Sequence, residues 1–333
     1  MRNFDQTDDS LRVSPLAQVV LAAAAIALLS TLVLAKSPEN TRLWVEIFNA
    51  GHAPLFGVVA VIALILSANW LGTQFNHHFD HYVSSLFICA VLGVVTEVIQ
   101  GQIGRDADPY DVLRDVVGAG SFLLLAGTID PAYKSRAIIS RMLSRYGLRL
   151  LAVLFLAGTS GSAIIWGAAY VERDVRFPVI CDYGSYLSSL FLAPEYASID
   201  AVNPPPGWTG PPGYKVCKIT FDMSTYPGLT INEPYPDWTG YSRLSFDVYS
   251  ALKASAELSI RVHDIRHNWE LTDRFTRTVR IAPGMNRISI PLADIQNAPV
   301  GRQMDMKAIR QIIIFAASPP EPFSLYLGPL RLS

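Results

Sequence analysis

The chain has 333 residues, half of them hydrophobic and 17% charged, with 27 Lys plus Arg against 28 Asp plus Glu and a net charge of −1. That balance gives no reason to expect a nucleic acid or an acidic polymer as partner. The apolar residues crowd the first half, which excludes a protein that is soluble throughout and predicts a membrane part followed by a soluble one.

Residues 1–14 read as a short cytoplasmic tail. Apolar runs near 15–35, 53–71, 82–100, 112–129 and 149–171 each approach the roughly 20 residues that cross about 30 Å of hydrocarbon. They predict an α-helical transmembrane bundle of five helices: four in residues 15–130, then a basic loop and a fifth helix in 131–171. Val33-Leu34-Ala35 also resembles a processing site, so a cleaved signal peptide is the alternative for the first run. Lys134, Arg136, Arg141, Arg145 and Arg149 cluster between the fourth and fifth runs, and the positive-inside rule makes that loop cytoplasmic. The N-terminus is then also cytoplasmic, and everything after residue 172 is extracytoplasmic, as expected for an integral plasma-membrane protein embedded in the lipid bilayer. His77, His78, Asp80 and His81 bring metal-ligating residue types to one short loop. Adjacent histidines without matched partners read better as an interfacial anchor, and no cofactor or metal is expected.

Between the third and fourth runs the sequence places Glu97, Gln100, Arg105, Asp111 and Asp115, with His52 near the start of the second. Asp111 and Asp115 are one helical turn apart and share a face in the first turn of their helix, where the macrodipole favours negative charge. Glu97 and Gln100 likewise share a face, and Arg105 is the expected counter-ion. Ionisable groups at membrane depth pair with one another or do chemistry. Two readings follow: a membrane enzyme in which His52 and Glu97 are an acid–base pair and Arg105, with Asp111 nearby, orients a phosphate or carboxylate of a lipid-linked envelope substrate, or an interfacial ion-pair network with Gly118 and Gly120 letting helices approach closely.

The set Asn49-Ala-Gly-His52, Glu97-x-x-Gln100, Gly104-Arg105, Asp111, Asp115 and Gly118 resembles the VanZ-like membrane family over residues 15–130. Asp115 stands where that family usually has Asn, and the Lys that often precedes the His is absent. The resemblance implies a small helical bundle linked to glycopeptide tolerance and envelope biology.

Residues 172–214 read as an irregular connector, with the Pro- and Gly-rich run Asn203–Gly213 excluding helix. From 215 to 333 short alternating segments predict strands at Val216–Phe221, Leu229–Asn232, Leu244–Tyr249, Glu257–His263, Phe275–Ile281, Arg287–Pro291, Gln311–Phe315 and Phe323–Arg331, hence an exported all-β sandwich of jelly-roll type. The fold is therefore multi-domain. Cys89 falls in the third helix as a small filler, while Cys181 and Cys217 are expected to form a disulfide in an oxidising compartment, two buried thiols being the alternative.

The run Trp238-Thr-Gly-Tyr241-Ser-Arg-Leu244-Ser-Phe246-Asp247, with His263-Asp264, Asp273-Arg274-Phe275 and Gly284-Met-Asn286, is similar to galactose-binding-like jelly rolls and carbohydrate-binding modules. The likeness implies a binder of an envelope glycan or exopolysaccharide. Sugars are held by aromatic faces, which singles out Trp208, Tyr235, Trp238 and Trp269. Asp264, Glu270 and Asp273 have the oxygen ligands of a structural calcium site, turn formation being the plainer role. A protein partner read by the sandwich is a third functional class.

Overall fold

The computed structural model describes residues 11–72, 74–75, 77–104, 108–130, 145–210 and 213–333. The chain divides into two compact units, Met1–Ile164 and Ile165–Ser333. The first is helical: α1 (Pro15–Leu34), α2 (Arg42–Trp70), α3 (His78–Gln102), α4 (Pro109–Ile129) and α5 (Arg145–Arg176), whose last turns belong to the second unit. All five helices are long and apolar enough to cross a membrane, and large apolar side chains such as Phe87, Val94 and Val98 point outward from α3.

Local chemistry sets the helix starts. Ser14 accepts a hydrogen bond from the Ala17 N–H at 3.3 Å with Pro15 at the first helical position, and Asp108 accepts from the Tyr110 N–H at 2.9 Å with Pro109 following. α2 starts about three turns before the apolar run that announced it. In its early turns Arg42, Glu46 and Asn49 interrupt the apolar residues, and Arg42 pairs with the buried Glu46 at 2.6 Å one turn on. His52 therefore lies inside α2 and does not open it. The α2–α3 histidines are engaged within the chain: His78 Nε2 lies 2.7 Å from Asp130, which also accepts from the Tyr82 hydroxyl at 2.7 Å, and His81 Nδ1 is 2.7 Å from Ser67 Oγ.

α2 and α4 pack closely because side chains are missing where they cross. A Cβ on Gly118 would lie 2.0 Å from the Ala53 carbonyl oxygen, and one on Gly57 would lie 2.2 Å from the Phe122 ring. Phe56, Val59, Ala60, Leu64, Cys89, Ala119 and Leu123 fill the space around this crossing, Cys89 as the small filler expected.

The second unit is an antiparallel two-sheet sandwich. One sheet has the order β2 (Leu192–Glu195), β5 (Gly228–Asn232), β10 (Ile309–Phe315), β7 (Ala256–Asp264), β8 (Phe275–Ile281). In the other, β9 (Gly284–Pro291) pairs with β6 (Arg243–Ser250), and β11 (Phe323–Leu327) and β12 (Leu330–Leu332) lie end to end along β6's far side. β4 (Val216–Phe221) pairs with β11, β3 (Ala197–Val202) with β4, and β1 (Val179–Cys181) with β12. Alternate residues such as Ile219, Phe221, Leu244, Phe246, Leu258, Ile260, Ile312 and Ile314 face inward and make the core. The strands expected after residue 215 form close to their expected ends, except that the last is broken at Gly328-Pro329. The connector expected to be irregular contributes β1, β2 and β3; β2 and β3 have no buried residue and β1 is only three residues long, so no apolar alternation announces them, and partner backbones hold them.

The expected disulfide is not formed: Cys181 and Cys217 are free, buried thiols. Cys181 pairs with Leu330 and Cys217 with Leu327, so the two sit in end-to-end strands of one sheet and each fills core volume. Burial pushes both thiols up, Cys217 to about 12 and Cys181 further, the neighbouring Cys217 adding to the latter. Neither is a thiolate near neutral pH.

The α2–α4 contact is testable. Gly118→Ala drives a methyl group into backbone, so a loss on the order of 1–3 kcal/mol is expected, whereas Gly120→Ala, which meets open space, stays within about 0.5 kcal/mol. Thermal denaturation of the detergent-solubilised variants, read by helical circular dichroism, separates the two.

Candidate functional site

The α2–α4 crossing delivers His52 to the two aspartates of α4. Its Nδ1 lies 3.0 Å from Asp115 Oδ1, and its Nε2 faces Asp111 Oδ2 at 3.6 Å, beyond hydrogen-bond reach. Asp111 Oδ1 accepts from Arg114, whose guanidinium also lies 3.5 Å from Asp108. Glu97 joins from α3: its Oε2 accepts from the Asp108 N–H at 2.9 Å, and its Oε1 is buried with no hydrogen-bond partner. His52, Glu97, Asp111 and Asp115 are all buried, Asp115 completely. Asp115 Oδ2 is a second orphaned oxygen, lying against Gly93, where a Cβ would come within 2.9 Å.

Four of the sequence-selected residues thus converge. Gln100 is buried but turned elsewhere, its amide donating to the Leu32 carbonyl of α1 at 3.3 Å. Arg105, expected as counter-ion, lies outside the described residues. Arg114 is the cation seen in contact with the aspartates; its position three residues after Asp111 was the signal that could have found it.

The sandwich holds a second concentration of polar groups, on the outer face of the five-stranded sheet. Register aligns Asn232, Gln311 and His263 in one row and Thr230, Ile313, Arg261 and Thr276 in the next. Beside them opens a cleft of about 340 Å³ lined by Glu195, Tyr196, Tyr226, Thr230, Arg261 and Phe315, among others. Tyr196 and Tyr226 are largely exposed at its rim, and the Arg261 guanidinium lies 5.1 Å from the Phe315 ring centre. Arg261 Nε, His263 Nδ1 and Arg274 Nε are buried without hydrogen-bond partners. Burial and then the neighbouring His267 and Arg261 push the His263 imidazole down to about 4, so it is neutral at physiological pH. Burial also holds both guanidiniums below their ordinary range, with Arg274 adding to the effect on Arg261.

The aromatic candidates divide. Trp238 is 1% exposed in the core, its Nε1 donating to the Tyr235 carbonyl at 2.8 Å, so it has no face to offer a sugar. Tyr235 stacks on Phe177 at 4.1 Å. Trp208 is partly covered, edge-on to Tyr214 and close to Gly328 of the other sheet. Trp269 alone is freely presented, 80% exposed in a loop where it adopts φ 71, beside His263 and His267.

Two of the three residues with calcium-type oxygen ligands, Asp264 and Asp273, are held by Arg302. Its guanidinium binds both Asp264 oxygens at 2.6 and 2.9 Å and Asp273 Oδ1 at 2.5 Å, supplying the positive charge a cation would bring. Glu270 is exposed and takes no part in that clamp. The Arg302 hydrogen bond holds Asp273 down to about 2, and Asp264, although burial works against ionisation, also lies below the ordinary range because of Arg302 and the Asp305 N–H.

No family model and no curated protein matches the chain. Among solved structures it is similar to a family 11 carbohydrate-binding module from Clostridium thermocellum in complex with a β-1,3-1,4-mixed-linked tetrasaccharide, at 16% identity over 43% of this chain and 88% of that one, with a TM-score of 0.33. It is also similar to an exo-β-agarase, at 18% identity over 43% of this chain and 23% of that one, TM-score 0.34. A family 30 module of a cellulosomal cellulase of Clostridium thermocellum gives 13% identity over 46% and 95%, TM-score 0.30.

Removing Arg302 leaves Asp264 buried and uncompensated, so Arg302→Ala is expected to cost about 3–5 kcal/mol, measured by urea unfolding followed through tryptophan fluorescence. The pH dependence has a defined sign. Asp273 is depressed in the folded state, so its contribution is complete above the ordinary carboxylate range near 4 and is lost as pH falls through about 2. The wild type should lose stability across that window more steeply than Arg302→Ala.

Proposed function

We propose that this chain is a VanZ-like integral membrane protein that displays its sandwich outside the cytoplasm and binds an envelope glycan or exopolysaccharide on the outer face of the five-stranded sheet. The observation that carries the glycan half is the cleft with Arg261 in its lining: among the described residues Arg261 Nε has no hydrogen-bond partner, and neither do His263 Nδ1 and Arg274 Nε, buried outside that lining. Buried polar groups of this kind ordinarily have a partner, and a sugar supplies many. Tyr196, Tyr226 and Trp269 stand exposed around the same face, providing ring surfaces for the apolar C–H patches of a saccharide. Two guanidiniums on the surface favour a glycan bearing carboxylates, which arginine holds in bidentate fashion.

The membrane half rests on the five apolar helices and on the residue pattern shared with the VanZ-like family. Holding the sandwich at the membrane raises the local concentration of ligand available to it without further contacts.

Titration of the full chain in detergent with oligosaccharides, half of them uronate-containing, tests the reading. The acidic set should bind, and Arg261→Ala should weaken it about 10- to 100-fold, the value of a charge-assisted hydrogen bond. A folded protein that ignores every saccharide, or an Arg261→Ala variant that binds like the wild type, defeats it.

A further inference from the structure

We propose that His52, Glu97 and Asp111 bind a divalent transition-metal ion inside the helical bundle. Each of the three offers one ligand atom such that all lie within 4.8 Å of one another, and all three residues are buried. The set comes from α2, α3 and α4 together, so no single helix presents it.

The arrangement of the outer groups distinguishes a metal site from a plain ion-pair network. His52 has Nδ1 held by Asp115 and Nε2 left over, facing Asp111 at 3.6 Å. Asp111 has Oδ1 held by Arg114 and Oδ2 left over. Glu97 has Oε2 held by the Asp108 N–H and Oε1 left over, buried and unpartnered. Each side chain is thus fixed through one polar atom and keeps a second uncommitted. A carboxylate behind a histidine fixes its tautomer and orients the opposite nitrogen toward a metal, which is the relation of Asp115 to His52.

Charge points the same way. Among the described residues, Glu97, Asp108, Asp111 and Asp115 meet one guanidinium, that of Arg114, and one imidazole. A divalent cation bound there would add positive charge to this carboxylate-rich set. One nitrogen and two carboxylate oxygens suit zinc, manganese or iron(II) better than calcium or magnesium, which take oxygen alone. Bonds near 2.0 Å place tetrahedral ligand atoms about 3.3 Å apart, close to the 3.6 Å between His52 Nε2 and Asp111 Oδ2, with the Glu97 ligand atom within 4.8 Å of both. Three protein ligands leave a position for water or an oxyanion, as in catalytic sites.

The test uses the full chain, purified without a histidine tag in detergent and stripped with a chelator. Zinc added by equilibrium dialysis should be retained at about one equivalent per chain and should raise the melting temperature. Glu97→Gln and Asp111→Asn should lose that equivalent while eluting as the wild type does, and Asp115→Asn, which only positions the ligand, should weaken binding about 10- to 100-fold. Should the variants fail to fold, cobalt(II) in the stripped wild type decides alone: visible d–d absorption that zinc displaces supports the site. Wild type that retains neither zinc nor cobalt, or an equivalent that survives in folded Glu97→Gln and Asp111→Asn proteins, overturns it. None of these readouts depends on glycan binding.

Discussion

The missing side chain at Gly118 is the constraint on which the helical unit turns. Because α4 has only hydrogen where it meets the Ala53 carbonyl, two backbones come into contact, and the residues flanking the contact point are His52 on one side and Asp115 on the other. Small residues at helix crossings are the usual means of close approach where lipid supplies no hydrophobic drive. Here they also fix chemistry: a wider crossing would separate the imidazole from both aspartates. Gly93 repeats the logic from α3, leaving room for the Asp115 carboxylate.

In the sandwich the corresponding organiser is a charge rather than an absence. Arg302 reaches two carboxylates at once, and Asp264 and Asp273 in turn accept backbone N–H groups of Arg266, Asn268 and Asp305. Residues that read as calcium ligands in sequence are the same residues that an arginine assembles in space, since both cations satisfy clustered oxygen atoms.

What the sequence revealed and what it hid divides along physical lines. Strands such as Val216–Phe221 and Phe275–Ile281 were legible to the residue because one face is buried and the other wet. β1 to β3 were not, since β2 and β3 bury no residue and β1 is only three residues long. The convergence of His52, Glu97, Asp111 and Asp115 was legible from helical spacing and the placement of ionisable residues in apolar runs. The start of α2 was hidden because Arg42, Glu46 and Asn49 break up the apolar run there, although Arg42 and Glu46 pair one helical turn apart. The cleft around Arg261 was illegible for a different reason: its lining comes from β2, β5, β7 and β10, and only their register brings it together. Of the aromatic residues singled out in sequence Trp269 is exposed, and Tyr196 and Tyr226, which were not singled out, are exposed as well.

The loop that carries Trp269 has a thermodynamic consequence. It is tied at His267 by the Asp273 carbonyl at 2.9 Å, at Asn268 by the Asp273 carboxylate at 2.9 Å, and at its root by Arg302. The main chain of this segment is therefore already ordered, while the exposed indole keeps its own rotamer freedom. Any association there would sacrifice little main-chain disorder, a smaller entropic loss than a floppy loop of the same composition would meet.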